Sequence, residues 1–184
     1  MNVSEINALV ALSEFASARS HFDETFSALD DADTSSSVCC SQLNSVDTAI
    51  DLLHFAVVDA RGLLQEVEEA FDVLLPPAAP SDAELSHLLG WADVLVDELA
   101  CEGGRMCRTL ERLALRRDSL LDAVVNEVER GVFESVDDDD VADALATVLD
   151  AGGEVAAAMT VAISAAVHVL DAIEFCYPDW TLGD

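Results

Sequence analysis

Five arginines fall close together, Arg105, Arg108, Arg112, Arg116 and Arg117, opposed within the run only by Glu111. A guanidinium group grips carboxylate or phosphate through two parallel hydrogen bonds, so such a run suits an anionic ligand or an acidic protein surface. On a helix, steps of three and four residues place Arg105, Arg108, Arg112 and Arg116 within about 80° of one another, turned away from Met106, Leu110, Leu113, Leu120 and Val124. These four arginines are the candidate partner-binding set. The plainer alternative is internal pairing: 37 carboxylates are available along the chain, and surface ion pairs contribute little individually.

Other chemistry finds less support. The run Asp137 to Asp140 lacks the alternating oxygen ligands and the sixth-position glycine of a calcium loop, because Val141 and Ala142 follow it. Its carboxylates suit a helix start, where they meet the positive end of the helix dipole. Cys39, Cys40, Cys101, Cys107 and Cys176 contain no pair at the two-residue spacing of zinc sites, and His21, His54, His87 and His168 are scattered. No nucleophile elbow, phosphate-cradling glycine loop or zinc-protease helix is present. Carboxylates at helical spacing, such as Glu98 and Glu102, are expected by number alone in so acidic a chain. The expectation is therefore a non-enzyme with no cofactor and no metal.

The charge balance narrows the partners. All 8 basic residues are Arg, Lys is absent, and 22 Asp with 15 Glu bring the formal net charge to -29. Such a body repels phosphate and anionic head groups, so direct nucleic-acid binding through a broad basic face is disfavoured. The excess of Asp and the loss of Lys resemble proteins of salt-accumulating halophiles, in which counter-ions screen self-repulsion. The alternative is a nucleic-acid mimic whose carboxylates occupy the basic groove of a DNA-binding protein. At 52% apolar residues, the chain carries enough greasy surface to fold around a core, which a disordered acidic tail does not.

The N-terminal stretch carries Glu5 and Glu14 and lacks a basic start followed by an apolar block, so a cytoplasmic location is expected. The longest uncharged run, Val155 to Leu170, is short of the roughly 30 Å hydrocarbon layer at about 1.5 Å per residue. No membrane span is expected.

Helical periodicity runs almost throughout, and no convincing alternating strand appears. A first helix is expected from Ser4 to about Asp30, with Leu12, Phe15, Phe22, Phe26 and Leu29 on one stripe and Arg19 in its middle. Arg19 then needs a carboxylate from another helix or a route for its head to water. A polar, mobile linker is expected over 31–44. The second helix carries the clearest signal: Val46, Ile50, Leu53, Val57, Ala60, Leu64, Val67, Phe71 and Leu74 alternate steps of four and three, a seam that needs a facing partner helix. Pro76, Pro77 and Pro80 end it.

Ser81 and Glu84 form a capping box that opens a third helix. Gly103 and Gly104 read as its stop, and a fourth helix then runs from Arg105 to Arg130. A short fifth helix over Val141 to Leu149 reads as broken at Gly152 and Gly153, and an apolar sixth runs from Glu154 to Cys176 as the central rod. The fold class is thus all-α, an antiparallel bundle of about six helices in a single domain. Within the third helix, Leu88, Trp91, Ala92, Asp93 and Leu95 resemble the helical death motif of apoptotic regulators, with Glu84 standing where that motif has an apolar anchor. The resemblance implies a helix that docks into an apolar groove.

The expected role is non-catalytic protein association, as a scaffold, adaptor or oligomer subunit with a salt-adapted acidic surface, the partner being another protein or a second copy. Nucleic-acid mimicry is the first alternative. A helical metal protein or enzyme with a site built across helices is the second.

Overall fold

The computed structural model describes residues 3–40, 44–74, 81–129 and 138–176. Among these residues every element is helical: α1 (Val3–Cys40), α2 (Asn44–Leu74), α3 (Asp82–Glu129) and α4 (Asp138–Cys176). The all-α class holds, with 4 described helices in place of about six. Two mergers account for the count, and α1 is longer than expected. Helix α1 continues to Cys40, so the stretch 31–40 expected as linker is helical, while 41–43 lie outside the described residues. Gly103 and Gly104 lie inside α3, and Gly152 and Gly153 lie inside α4.

Burial explains why these glycines do not stop a helix. In α4 the buried or contacting positions Leu145, Val148, Gly152, Val155, Met159, Ala162, Ala166, Val169 and Ile173 alternate steps of three and four without a break. Gly152 is one member of that seam. An added Cβ there would meet Leu110 Cδ2 at 2.6 Å and Leu53 Cδ2 at 3.1 Å, so the missing side chain lets two leucines close on the α4 backbone. In α3 the same spacing runs through Leu89, Ala92, Val96, Leu99, Gly103 and Met106, and Met159 and Ile163 lie at ordinary contact distance from where a Cβ on Gly103 would stand. A glycine stop requires left-handed angles. Packing of the seams through Gly103 and Gly152 keeps the helices continuous instead, and Gly104 and Gly153 follow as their helical neighbours.

The seam expected in the second helix is buried throughout its described part, from Ile50 through Leu53, Val57, Ala60, Leu64 and Val67 to Phe71. In α1 the buried stripe is Ala11, Phe15, Ala18, Phe22, Thr25, Leu29 and Ala32, again at steps of four and three. Leu12 and Phe26, expected on that stripe, are half-buried at its edges. Among the described residues each helix thus carries a seam of the kind that interlocks side chains between neighbouring rods.

The chain divides into two compact units, each drawing a segment from every helix. Unit 1 comprises Met1–Asp23, Asp59–Gly103 and Ala158–Asp184. Its core contains an edge-to-face pair, Phe15 and Phe71, with ring centroids 5.5 Å apart. Here Arg19 of α1 finds its carboxylate from another helix: its Nη1 lies 2.7 Å from Glu68 Oε2 of α2, and Arg61 Nε lies 2.9 Å from Asp23 Oδ1. Unit 2 comprises Glu24–Val58 and Gly104–Ala157, with Leu29, Ile50, Leu53, Met106, Leu145 and Val155 in its core.

Because α4 does not break at its glycines, the apolar stretch is longer than the uncharged run in the sequence. Ala142–Ile173, 32 residues whose most apolar window has a mean hydropathy of 1.8, is long and apolar enough to cross a membrane by length and composition. In its most apolar window 39% of the stretch is buried.

Candidate functional site

The arginine run lies on α3 in unit 2. The local turn is well anchored, because Met106 and Leu113 are buried and the half-hidden Thr109 hydroxyl donates to the Arg105 carbonyl at 3.1 Å. With that face fixed to the core, the opposite face carries Arg105, Arg108 and Arg112 out into solvent. Arg116 also lies on α3, but its side chain is outside the described part, as is that of Arg117. Arg108 leans back along the helix, its Nη1 lying 3.2 Å from where a Cβ on Gly104 would stand. Such a lean toward the N-terminus is the ordinary direction of helical side chains. Among the described residues neither Arg108 nor Arg112 forms an ion pair, whereas Arg19 and Arg61 are both paired. Among the described carboxylates none is placed to neutralise these two.

Sequence reasoning missed the residue beside them. Leu115 is 84% exposed, the most exposed large apolar side chain among the described residues. It follows Arg108 and Arg112 at the i, i+4, i+7 spacing that shares one helix face. The signal was present as a leucine out of phase with the α3 seam. Two long cations, whose stems are themselves apolar, thus flank an exposed leucine. Such a stripe can grip carboxylates and cover apolar surface together.

Other surfaces complete the survey. On α2 in unit 2, Phe55 is 67% exposed between the similarly open Leu52 and Val58. Of the death-motif resemblance, Ala92 and Leu95 are buried in unit 1 and Leu88 is half-buried, so those apolar residues face the chain's own core. Among the described residues no group of three or more His, Cys, Asp or Glu side chains is placed to hold a metal ion. Cys101 and Cys107 are free and exposed thiols, and the side chains of Cys39, Cys40 and Cys176 lie outside the described part. Helix α4 starts at Asp138, within the acidic run. Comparison with protein-family models, with curated proteins and with solved structures finds no match.

Proposed function

We propose that this chain is a non-catalytic protein-association module, an antiparallel helical bundle of the cytoplasm whose acidic surface is adapted to concentrated salt. In this reading α4 serves as a core helix, and the partner is a protein that presents carboxylates beside an apolar surface. The observation that carries the proposal is the exposed face of α3, where Arg108 and Arg112 stand without ion-pair partners among the described residues beside Leu115. On a chain with a net charge of -29, cations that no described carboxylate engages are available to an outside one. Exposing a leucine this far contributes nothing to the chain's own core, whereas burying it against a partner removes apolar area from water at about 25 cal/mol per Å2.

The test is affinity capture from the native host under its own salt, with the wild-type chain and a variant combining R108A, R112A and L115A as baits. The expected result is a defined protein retained by the wild type and lost from the variant. An identical retained set overturns the assignment of the site. Retention of DNA-binding proteins by both baits, strongest at low salt, overturns the module in favour of a nucleic-acid mimic.

A further inference from the structure

In unit 1, α1 and α4 leave an open groove between them. It consists of two adjoining hollows of about 380 and 670 Å3 that share Glu14 and His168. Small buried side chains, Ala11, Ala18 and Ala165, make its floor, and the exposed Val10 and Val161 stand at its sides. Glu14 and Asp171 supply carboxylates, and no arginine is among the residues that line either hollow. Along α1 the groove extends from Asn7 to His21, about 21 Å at 1.5 Å per residue. The arginine stripe from Arg105 to Arg116 spans about 17 Å by the same measure.

Resting on the association role argued above, we propose that a second copy of this chain docks its α3 stripe into the α1/α4 groove. Arg108 and Arg112 meet Glu14 and Asp171, and Leu115 lies against the alanine floor. Charge complementarity selects this occupant. The groove is acidic and apolar, a second copy's surface is otherwise dominated by carboxylates, and its clustered cations lie on α3 beside an exposed leucine. A helix face entering a shallow groove between two others is ordinary ridge-into-groove packing. Because stripe and groove are different surfaces, a copy that has lost one can still pair with a copy that has lost the other.

Sedimentation of the full-length chain in about 1 M salt, where the Debye length falls to about 3 Å, tests this with the long-range repulsion of two -29 bodies screened. The wild type is expected to form species above 19.6 kDa that grow with concentration. A stripe variant (R108A, R112A, L115S) and a groove variant (E14R, D171R) change only exposed positions, and each is expected to stay at 19.6 kDa with unchanged helical circular dichroism. Mixing the two is expected to give a 1:1 species of twice that mass and nothing larger, since only the stripe variant keeps a groove and only the groove variant keeps a stripe. A wild type that remains monomeric, a groove variant that assembles like the wild type, or a mixture that fails to pair overturns self-docking. If the wild type is monomeric yet still loses a captured protein when the stripe is substituted, self-docking fails and the association module stands. Equal capture by both baits overturns the stripe as the module's docking site as well.

Discussion

Gly152 and Gly153 are neighbours in α4, and replacing each with alanine is expected to act in opposite directions. A Cβ on Gly152 stands 2.6 Å from Leu110 Cδ2, closer than side-chain carbons tolerate, and 3.1 Å from Leu53 Cδ2. Leu110 is half-buried and can turn, but Leu53 is fully enclosed and must be pushed. Overpacking of this kind costs about 1–3 kcal/mol, and the helix preference of alanine returns about 1 kcal/mol, leaving a net loss of up to about 2 kcal/mol. Gly153 is exposed, and no heavy atom lies within 4 Å of its added Cβ. Only backbone preference acts there, a gain of about 0.5–1 kcal/mol. In a chain of this size 1 kcal/mol moves the melting temperature by about 2–4 °C. Thermal circular dichroism of three proteins should therefore rank G153A above wild type and wild type above G152A. Adding L110A to G152A removes the nearest obstruction, so the pair should cost less than the sum of the single changes. A G152A protein that melts as high as G153A refutes the close approach of Leu53 and Leu110 to α4.

Four further outcomes follow from the same packing. F71A removes a ring that is 1% exposed and stacked edge-to-face on Phe15, and denaturant titration should show a loss of about 3–5 kcal/mol. E68Q removes the charge opposite Arg19 but leaves an amide oxygen able to accept from it, both side chains are partly in water, and Asp23 stays beside Arg19. Its cost should stay below about 1 kcal/mol and shrink with added salt; a salt-independent loss of several kcal/mol counts against a solvent-screened pair. F55S acts at a side chain already in water and should leave stability within about 0.5 kcal/mol, with a larger drop placing Phe55 in the core. Dialysis from about 1 M to about 10 mM salt lengthens screening from about 3 to 30 Å, so a -29 chain should lose helical circular dichroism or melt lower, and an unchanged melt argues against salt adaptation.

The α2 seam was legible because each of its members is recognisably apolar, and the register read from Ile50 to Phe71 is the register that is buried. In α1 the same spacing was obscured: Ala11, Ala18, Thr25 and Ala32 occupy seam positions without looking hydrophobic, so the eye settles on Leu12 and Phe26 at the edges. The glycine pairs misled for a related reason. Alone, Gly103-Gly104 and Gly152-Gly153 favour a chain reversal, at a cost of about 1 kcal/mol per glycine for staying helical. Seams running through Leu99 and Met106, and through Val148 and Val155, bury side chains worth about 1.5–3 kcal/mol each, and that outweighs the local preference. Which glycine is a stop and which a seam position depends on contacts such as Leu53 on Gly152, between residues far apart in the chain.

The arginine stripe was legible in spacing alone, and its immediate neighbours explain why it stands open. At helical neighbour distance, three and four residues away, Arg108 meets Gly104, Arg105, Glu111 and Arg112, and Arg112 meets Arg108, Thr109, Leu115 and Arg116. One carboxylate among these positions is little in a chain with 37, and none lies three or four residues from Arg112. Like charges at these spacings disfavour the isolated helix by about 0.2–0.5 kcal/mol per pair. The core provides the offset, through Met106 and Leu113 on the far side of the same turns. A face that keeps carboxylates away from its cations and adds a solvent-facing leucine weakens the helix that carries it. What that arrangement leaves is a positive, partly apolar strip on an acidic body, complementary in sign to a carboxylate-bearing surface.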